Sequence, residues 1–440
     1  MVGASEAGPE VAPVDAALAG TGPSWLGRTF GALEDSNFRR LYIGNVLQFG
    51  SMQMQLLVRG VLVFELTGSF AALGTISLAN AIPGLLLAPV GGVLADRVSK
   101  KTVIQFAQLY NAANAVGLAI LAAGFFGLEI AFWHLLVSAV LQGGVNAIMM
   151  PSRQSIISDL VGRERLTNAV AINTSGQNLM QLVGPGLGGL LIVWWNASAV
   201  FWLMAAMYGL AVMLTLQLPG HPVYEYSAQR VERSGQAGRR GSGGFGDLIE
   251  GLRYVAHDRV VRLLILVNFM IVIVAMPYTM LLPGFVREVL HKGAAEQGLL
   301  MAVSGVGAIG GSLFVASLSA RRRGRMMIAW GAVLGVSLVA FAISTNFFIT
   351  LPIMLLIGAG QAGRMSLGQV LIQSYSADEY RGRALSVWMM QFSLVQFGTF
   401  FVGILAEVIG PQLAIGGLAF MMVVAMGLVM AFLPTVRDLD

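Results

Sequence analysis

Two arginines stand inside apolar runs: Arg59, within LLVRGVLVFELTGS (Leu56–Ser69), and Arg364, in a second apolar stretch near the far end of the chain. An arginine at the centre of a membrane helix costs about 3 kcal/mol on insertion scales. Each therefore needs an anionic group, a set of carbonyls or a neighbouring helix. Amides recur around them at helical spacing. Gln48, Gln55 and Arg59 share a stripe at steps of seven and four, with Ser51 beside it. Gln142 and Asn146 share a face that continues to Arg153, and Asn173, Gln177 and Gln181 form another line. Asn268, Gln361, Arg364, Gln369, Gln391 and Gln396 follow in the second half. One buried amide is as readily a helix–helix hydrogen bond as a ligand contact. Stripes on several helices together point to a wet, largely neutral, hydrogen-bonding path. Arg59 falls about 9 Å outward of the middle of its predicted helix, and Arg364 about 8 Å inward of its own. The two do not clamp one carboxylate together. Whether Arg59 is a structural strut or a cavity-facing cation stays open at this point.

Other chemistry is sparse. There is no cysteine, which excludes disulfides and thiolate sites. His134, His221, His257 and His291 have no ligand spacing. GVGAIG (Gly305–Gly310) satisfies a dinucleotide pattern but sits inside an apolar helix without the strand that fingerprint needs; it reads as helix packing. No catalytic set, metal site or cofactor is read, and no enzyme activity is expected. The 22 acids fall outside the predicted spans or near their ends, Glu65 being the deepest. Cation transporters driven by protons often embed an acid deep in the membrane, so neutral or anionic amphipathic cargo fits better here. If a proton drives the cycle, Glu65 or Asp96 would carry it.

The elements that must position these residues follow from composition. Of 440 residues, 56% are hydrophobic and 11% charged, with mean hydropathy +0.75; soluble domains carry about 25% charged residues. Apolar runs predict twelve helical spans: 41–66, 71–94, 102–125, 131–151, 168–193, 197–218, 262–283, 295–318, 326–345, 347–372, 384–406 and 411–433. Residues 1–35 read as a disordered N-terminus, 36–218 as one six-helix bundle and 219–260 as a Gly/Ser/Arg-rich linker with a surface amphipathic helix. Residues 261–433 read as a second bundle, and 434–440 as a tail. With both termini inside, nearly all lysines and arginines fall on the cytoplasmic side. The net charge of +5 is then a topology signal, and no nucleic-acid partner is expected. Gln154–Val170 and Gln369–Leu385 align at a shift of 215 at equivalent places in the two halves, which suggests duplication.

GGVLADRVSKK (Gly91–Lys101), after the second helix, resembles the signature loop of the major facilitator superfamily. Gly92, Asp96, Arg97, Lys100 and Lys101 match it, while Ser99 stands where a glycine is usual. PSRQSIISDLVGRERLTNAVAIN (Pro151–Asn173), LVRGVLVFELTGS and DEYRGRALSV (Asp378–Val387) resemble the bacterial transmembrane secretion effector branch, which includes siderophore and drug exporters. GPGLGG (Gly184–Gly189) is similar to the end of an exchanger motif, although Met180 replaces its upstream glycine. The loop after the eighth helix, ARRRGR, carries no matching acid. The resemblance implies an all-α fold of two six-helix bundles. It implies a secondary transporter working by alternating access, with the first, fourth, seventh and tenth helices lining a central path. On that reading Gln48, Gln55, Arg59, Gln142, Asn146, Asn173, Gln177, Asn268, Gln361, Arg364 and Gln391 line the path. Gly92, Asp96, Arg97, Lys100, Lys101, Arg153, Glu164, Glu379, Arg381 and Arg383 form the gate, with Asp96 facing the positive end of the helix that starts near Arg383. The expected protein is a monomer in a bacterial cytoplasmic membrane, exporting a small organic molecule with a proton as candidate coupling ion. Uptake of an organic anion and a non-transporting sensor or scaffold are the alternatives.

Overall fold

The computed structural model describes residues 31–162, 164–221, 223, 245–317 and 322–439. Its long helices are Ser36–Thr67 (α1), Phe70–Arg97 (α2), Lys100–Ala122 (α3), Phe132–Leu160 (α4), Leu166–Trp194 (α5) and Ala197–Leu216 (α6). Phe245–His257 (α7) leads into Arg259–Ala275 (α8), Tyr278–Glu288 (α9), Ala294–Ser317 (α10), Arg323–Ile343 (α11) and Phe347–Tyr375 (α12). Arg381–Met389 (α13), Gln391–Ile409 (α14) and Pro411–Phe432 (α15) complete the set. Among the described residues, ten helical segments are long and apolar enough to cross a membrane, counting α8–α9 and α13–α14 as one segment each. The long helices outside that set are α3, with four Gln and Asn residues, and α5, with five; these amides lower the hydropathy of both.

Short polar residues set where six of these helices begin. Asp35 accepts from Asn37 N at 2.8 Å and Phe38 N at 3.1 Å to open α1. Ser69, Ser99, Asn196, Asp258 and Asn346 cap α2, α3, α6, α8 and α12 in the same way. Gly68 ends α1 at φ 61°, a left-handed conformation suited to glycine. The first helix starts five residues earlier than its apolar run because the Asp35 cap, not hydropathy, fixes its end. The seventh and eleventh predicted spans are each two helices: the chain turns at Met276–Pro277 and at Met390. Residues 1–30 and 224–244 lie outside the described residues, so the expected disorder of the N-terminus is testable only over 31–35. There Gly31–Glu34 forms a turn whose Ala32 N–H bonds Asn168 of α5 at 3.0 Å.

The two halves repeat one packing scheme. In the first, α2 packs on α4, α3 on α4 and α6, and α1 on α5 and α6; in the second, α10 packs on α12, α11 on α12 and α15, and α8 on α14 and α15. The α2–α4 and α10–α12 pairs are drawn together by glycine: Gly143 lies against the Asn80 backbone, and Gly307 and Gly358 against Leu355 and Ser304. The halves meet along α5–α10 and α2–α14. These seams lie toward the side away from the connector, through Gly189 on Ala294, Gly298 on Pro185 and Gly74 on Phe400. On the connector side, α7 docks on the start of α13: Tyr254 stacks on Tyr380 at 4.6 Å, and Glu250 pairs with Arg383 at 2.9 Å. The C-terminus folds back there too, where hydrogen bonds from Arg437 and Arg325 hold the Asp438 carboxyl down to about 2.

Candidate functional site

A cavity of about 360 Å³ lies where the halves part toward the connector side. Gln53 and Leu56 of α1, Thr174, Asn178 and Gln181 of α5, and Tyr278, Thr279 and Leu282 of α9 form part of its wall. Met301, Ser304 and Ser312 of α10 and Met354, Gln361, Met365, Ser366 and Gln369 of α12 complete most of the rest. No carboxylate, ammonium or guanidinium lines it. The wall mixes amides and hydroxyls with methionines, whose flexible thioethers adapt to varied apolar shapes. Such a pocket suits an uncharged amphipathic molecule that makes a few hydrogen bonds.

Of the expected path residues, Gln361 lines this cavity. Gln181 and Gln369, from the same amide stripes, join it. Eight of the other ten make hydrogen bonds between helices. Arg59 donates to the Gln142 carbonyl, and Gln142 Nε2 donates to Gln55 Oε1 at 2.5 Å, joining α1 to α4. Gln108 Nε2 donates to Gln48 Oε1 at 3.1 Å, and Gln48 Nε2 to Met149 Sδ at 2.9 Å. Asn146 is half-buried on α4, its carbonyl without a hydrogen-bond donor, and Gln177 is half-buried on α5. Neither is part of the cavity wall.

Two arginine-centred triads stand at matching places in the halves. Arg153 of α4 donates to Asn45 of α1 at 3.1 and 3.0 Å, and Asn45 donates to Asn173 of α5 at 2.9 Å. Arg364 of α12 donates to Asn268 of α8 at 2.6 Å, and Asn268 donates to Gln391 of α14 at 3.3 Å. Arg364 is only 2% exposed, on the face of α12 turned from the cavity. Amide oxygens, not carboxylates, hold these guanidinium groups. Asn45 is the member that sequence reading missed; it lies three residues from Gln48, one turn along the same helix.

The expected gate residues lie on the connector side. Lys100 pairs with Asp159 at 2.6 Å, and Lys101 donates to the Leu216 and Leu218 carbonyls at 2.9 and 2.6 Å, which tethers α3 to α4 and to the end of α6. Arg381 pairs with Asp378 at 2.5 Å. Arg97, Glu164 and Glu379 are exposed. Gly92 falls in the last turns of α2, and the Asp96 side chain lies outside the described residues. Glu65, near the C-terminal end of α1, is within electrostatic reach of Arg287. Among the cavity residues that sequence reading did not single out, Gln53, Thr174 and Asn178 lie one or two positions from Gln55, Asn173 and Gln177. Helical spacing marks a polar helix but not which of its buried faces meets the cavity.

Comparison with known proteins matches these features. A family model described as "Transmembrane secretion effector" matches residues 28–440. The chain is 26% identical over 393 residues to the multidrug efflux pump Tap of Mycobacterium tuberculosis, covering 86% of this chain and 89% of that one. It is 23% identical over 339 residues to the staphyloferrin A transporter of Staphylococcus aureus, covering 77% and 81%. Macrolide efflux protein A of Streptococcus pyogenes is 23% identical over 331 residues, covering 73% and 77%. Among solved structures, the nucleoside transporter NupG superposes with TM-score 0.69 at 16% identity, covering 90% of this chain and 98% of that one. A bacterial homologue of the lysosomal transporter Spinster, in an inward-facing and unoccupied conformation, superposes at 0.65 and 14% identity, covering 91% and 97%. At those identities the solved structures speak for the fold alone.

Proposed function

The chain belongs to the transmembrane secretion effector family of major facilitator transporters, and from that premise we propose that it exports small, uncharged amphipathic organic molecules by alternating access. The observation that carries this reading is the cavity: it is walled by helices of both halves and contains amides, hydroxyls and methionines without a charge. An anionic cargo would leave its charge facing neutral groups, because Arg59 and Arg364 are turned into helix contacts. The relatives named as efflux proteins favour outward transport.

The same reading takes residues 36–218 and 261–433 as two six-helix bundles. α3 and α5 then span alongside the ten apolar helices, and α8–α9 and α13–α14 serve as single broken spans. Both termini and the connector face the cytoplasm, supported by the basic residues gathered there. The cavity is then open to the cytoplasm, and the α5–α10 and α2–α14 seams seal the outer side. Lys100, Lys101, Arg381 and Arg383 lie where they would hold the cytoplasmic loops through the cycle, and a proton is the natural counter-ion. A monomer is sufficient, since each chain encloses its own cavity.

Transport into inside-out membrane vesicles tests the proposal, using size-matched neutral, cationic and anionic amphipaths with and without a proton gradient. Accumulation of the neutral member, abolished when the gradient is collapsed, is the expected result. Strict preference for the anion, or movement only in the opposite direction, would overturn it.

A further inference from the structure

Glu407, in the last turn of α14, reaches across the seam to the start of α2. Its Oε2 accepts from Phe70 N at 2.7 Å, Ser69 Oγ at 3.1 Å and Ala71 N at 3.3 Å. One carboxylate from the second half thus satisfies the free N–H groups and the positive end of a helix in the first. α2 already has its own cap, since Ser69 Oγ accepts from Ala72 N at 3.2 Å. Glu407 therefore adds a bond between halves that helix formation does not require. Beneath it the backbones close tightly, with Gly403 against Phe70 and Gly74 and with Gly74 against Phe400.

The matching seam is built differently. Where α5 meets the start of α10, Gly189 packs against the backbone of Ala294 and Ala295, and the Gly293 N–H is capped at 3.1 Å by Glu296 of α10 itself. One outer seam is thus joined by packing alone and the other by packing and an ionisable group. Glu407 is exposed on that side, so a proton can reach it.

We propose that Glu407 is a proton-binding residue of the transport cycle, and that its protonation releases the α2–α14 seam and opens the outer side. This rests on the export reading. The balance is simple: a proton from the outer medium joins the Glu407 carboxylate, the three hydrogen bonds lose their charged acceptor, and the seam recloses as the exposed carboxyl returns the proton to the outer medium. Among the elements packed on α14, α9 supplies Glu288, a second carboxylate within electrostatic reach of Glu407. Arg287, next to it, is within electrostatic reach of Glu65 of α1. The first turns of α2 and α15 carry no charged residue, and Arg259, Arg262, Arg381 and Arg383 of α8 and α13 lie at the opposite ends of their helices.

Spin labels at Leu66→Cys and Leu413→Cys, one in each half on this side, read the seam without any cargo; the natural chain has no cysteine to interfere. In the otherwise wild-type protein the labels should move apart as the medium is acidified. Glu407→Gln should hold the wide distance already at neutral pH and lose the response, while Glu407→Asp should keep it. Ser69→Ala retains the carboxylate but removes one donor, so it should reach the wide state at higher pH than wild type. A wild-type response in Glu407→Gln, or unchanged behaviour in Ser69→Ala, would overturn the assignment. The readout is independent of transport: pH-driven opening with no export of any neutral amphipath would sink the functional proposal and leave this one standing.

Discussion

At the residue scale, Arg59 is a strut between α1 and α4 through Gln142. Replacing it by methionine leaves a buried Gln142 carbonyl without a donor, which costs about 1–3 kcal/mol. The expected outcome is a lower melting temperature in detergent with every cargo affected alike. Gln142→Leu alone also strands the Gln55 carbonyl, so its own loss is counted separately, and the double-mutant cycle with Arg59→Met should show a coupling of about 1 kcal/mol. Strictly additive losses would mean that the contact carries no energy. Gln361 and Arg364 make the complementary prediction from one turn of α12. Gln361→Ala should weaken cargo binding by about 0.5–1.5 kcal/mol, the value of one hydrogen bond, without moving the melting temperature. Arg364→Met should lower the melting temperature, because Asn268 loses its donor. The difference between these neighbours was not legible in the sequence. A helix advances about 100° per residue, so Gln53 and Gln55 point in opposing directions although both are glutamines in the same apolar run. Which direction holds the cavity depends on the neighbouring helices, and α5 and α10 are far away in the chain.

At the scale of elements, much was legible. Ser69, Ser99, Asn196, Asp258 and Asn346 announce helix starts by their own hydrogen bonding, and the apolar runs behind them have the length of helices. The breaks at Met276–Pro277 and Met390 were not read because hydropathy is blind to backbone direction: the runs stay apolar enough to count as one span although Pro277 and Gln391 stand at the breaks. Glycine was legible as packing but not as packing against a named partner. Two glycines close to the same contact predict opposite outcomes. A methyl on Gly358 would be driven into the Ser304 backbone, so Gly358→Ala should destabilise by about 1–3 kcal/mol, the usual cost of overpacking. Gly310 on α10 has no atom within 4 Å of where its methyl would stand. Gly310→Ala should therefore be neutral or stabilise by up to about 1 kcal/mol through helix propensity. Melting curves of the two variants side by side decide it; equal losses would remove close approach as the reason for the α10–α12 glycines.

At the scale of the whole molecule, the seams between halves and the cavity lie toward opposite sides. That separation is a statement about access. Ser366 is on the cavity wall and half-buried, whereas Ser77 on α2 is 1% exposed and bonded to the Leu73 carbonyl at 3.1 Å. Because the chain has no cysteine, Ser366→Cys and Ser77→Cys each place one thiol in an otherwise unreactive protein. A membrane-impermeant thiol reagent should reach Cys at 366 quickly in inside-out vesicles, where the connector side faces the reagent, and slowly in right-side-out vesicles. A neutral amphipathic cargo should protect it, since the thiol would share the wall with Gln361 and Gln369. The Ser77 variant should stay unreactive from either side while the protein is folded, and become reactive on denaturation. Fast labelling of the Ser366 variant from the outer side alone would reverse both the orientation and the resting conformation argued for here. Equal labelling from both sides would mean that the two glycine-lined seams do not seal.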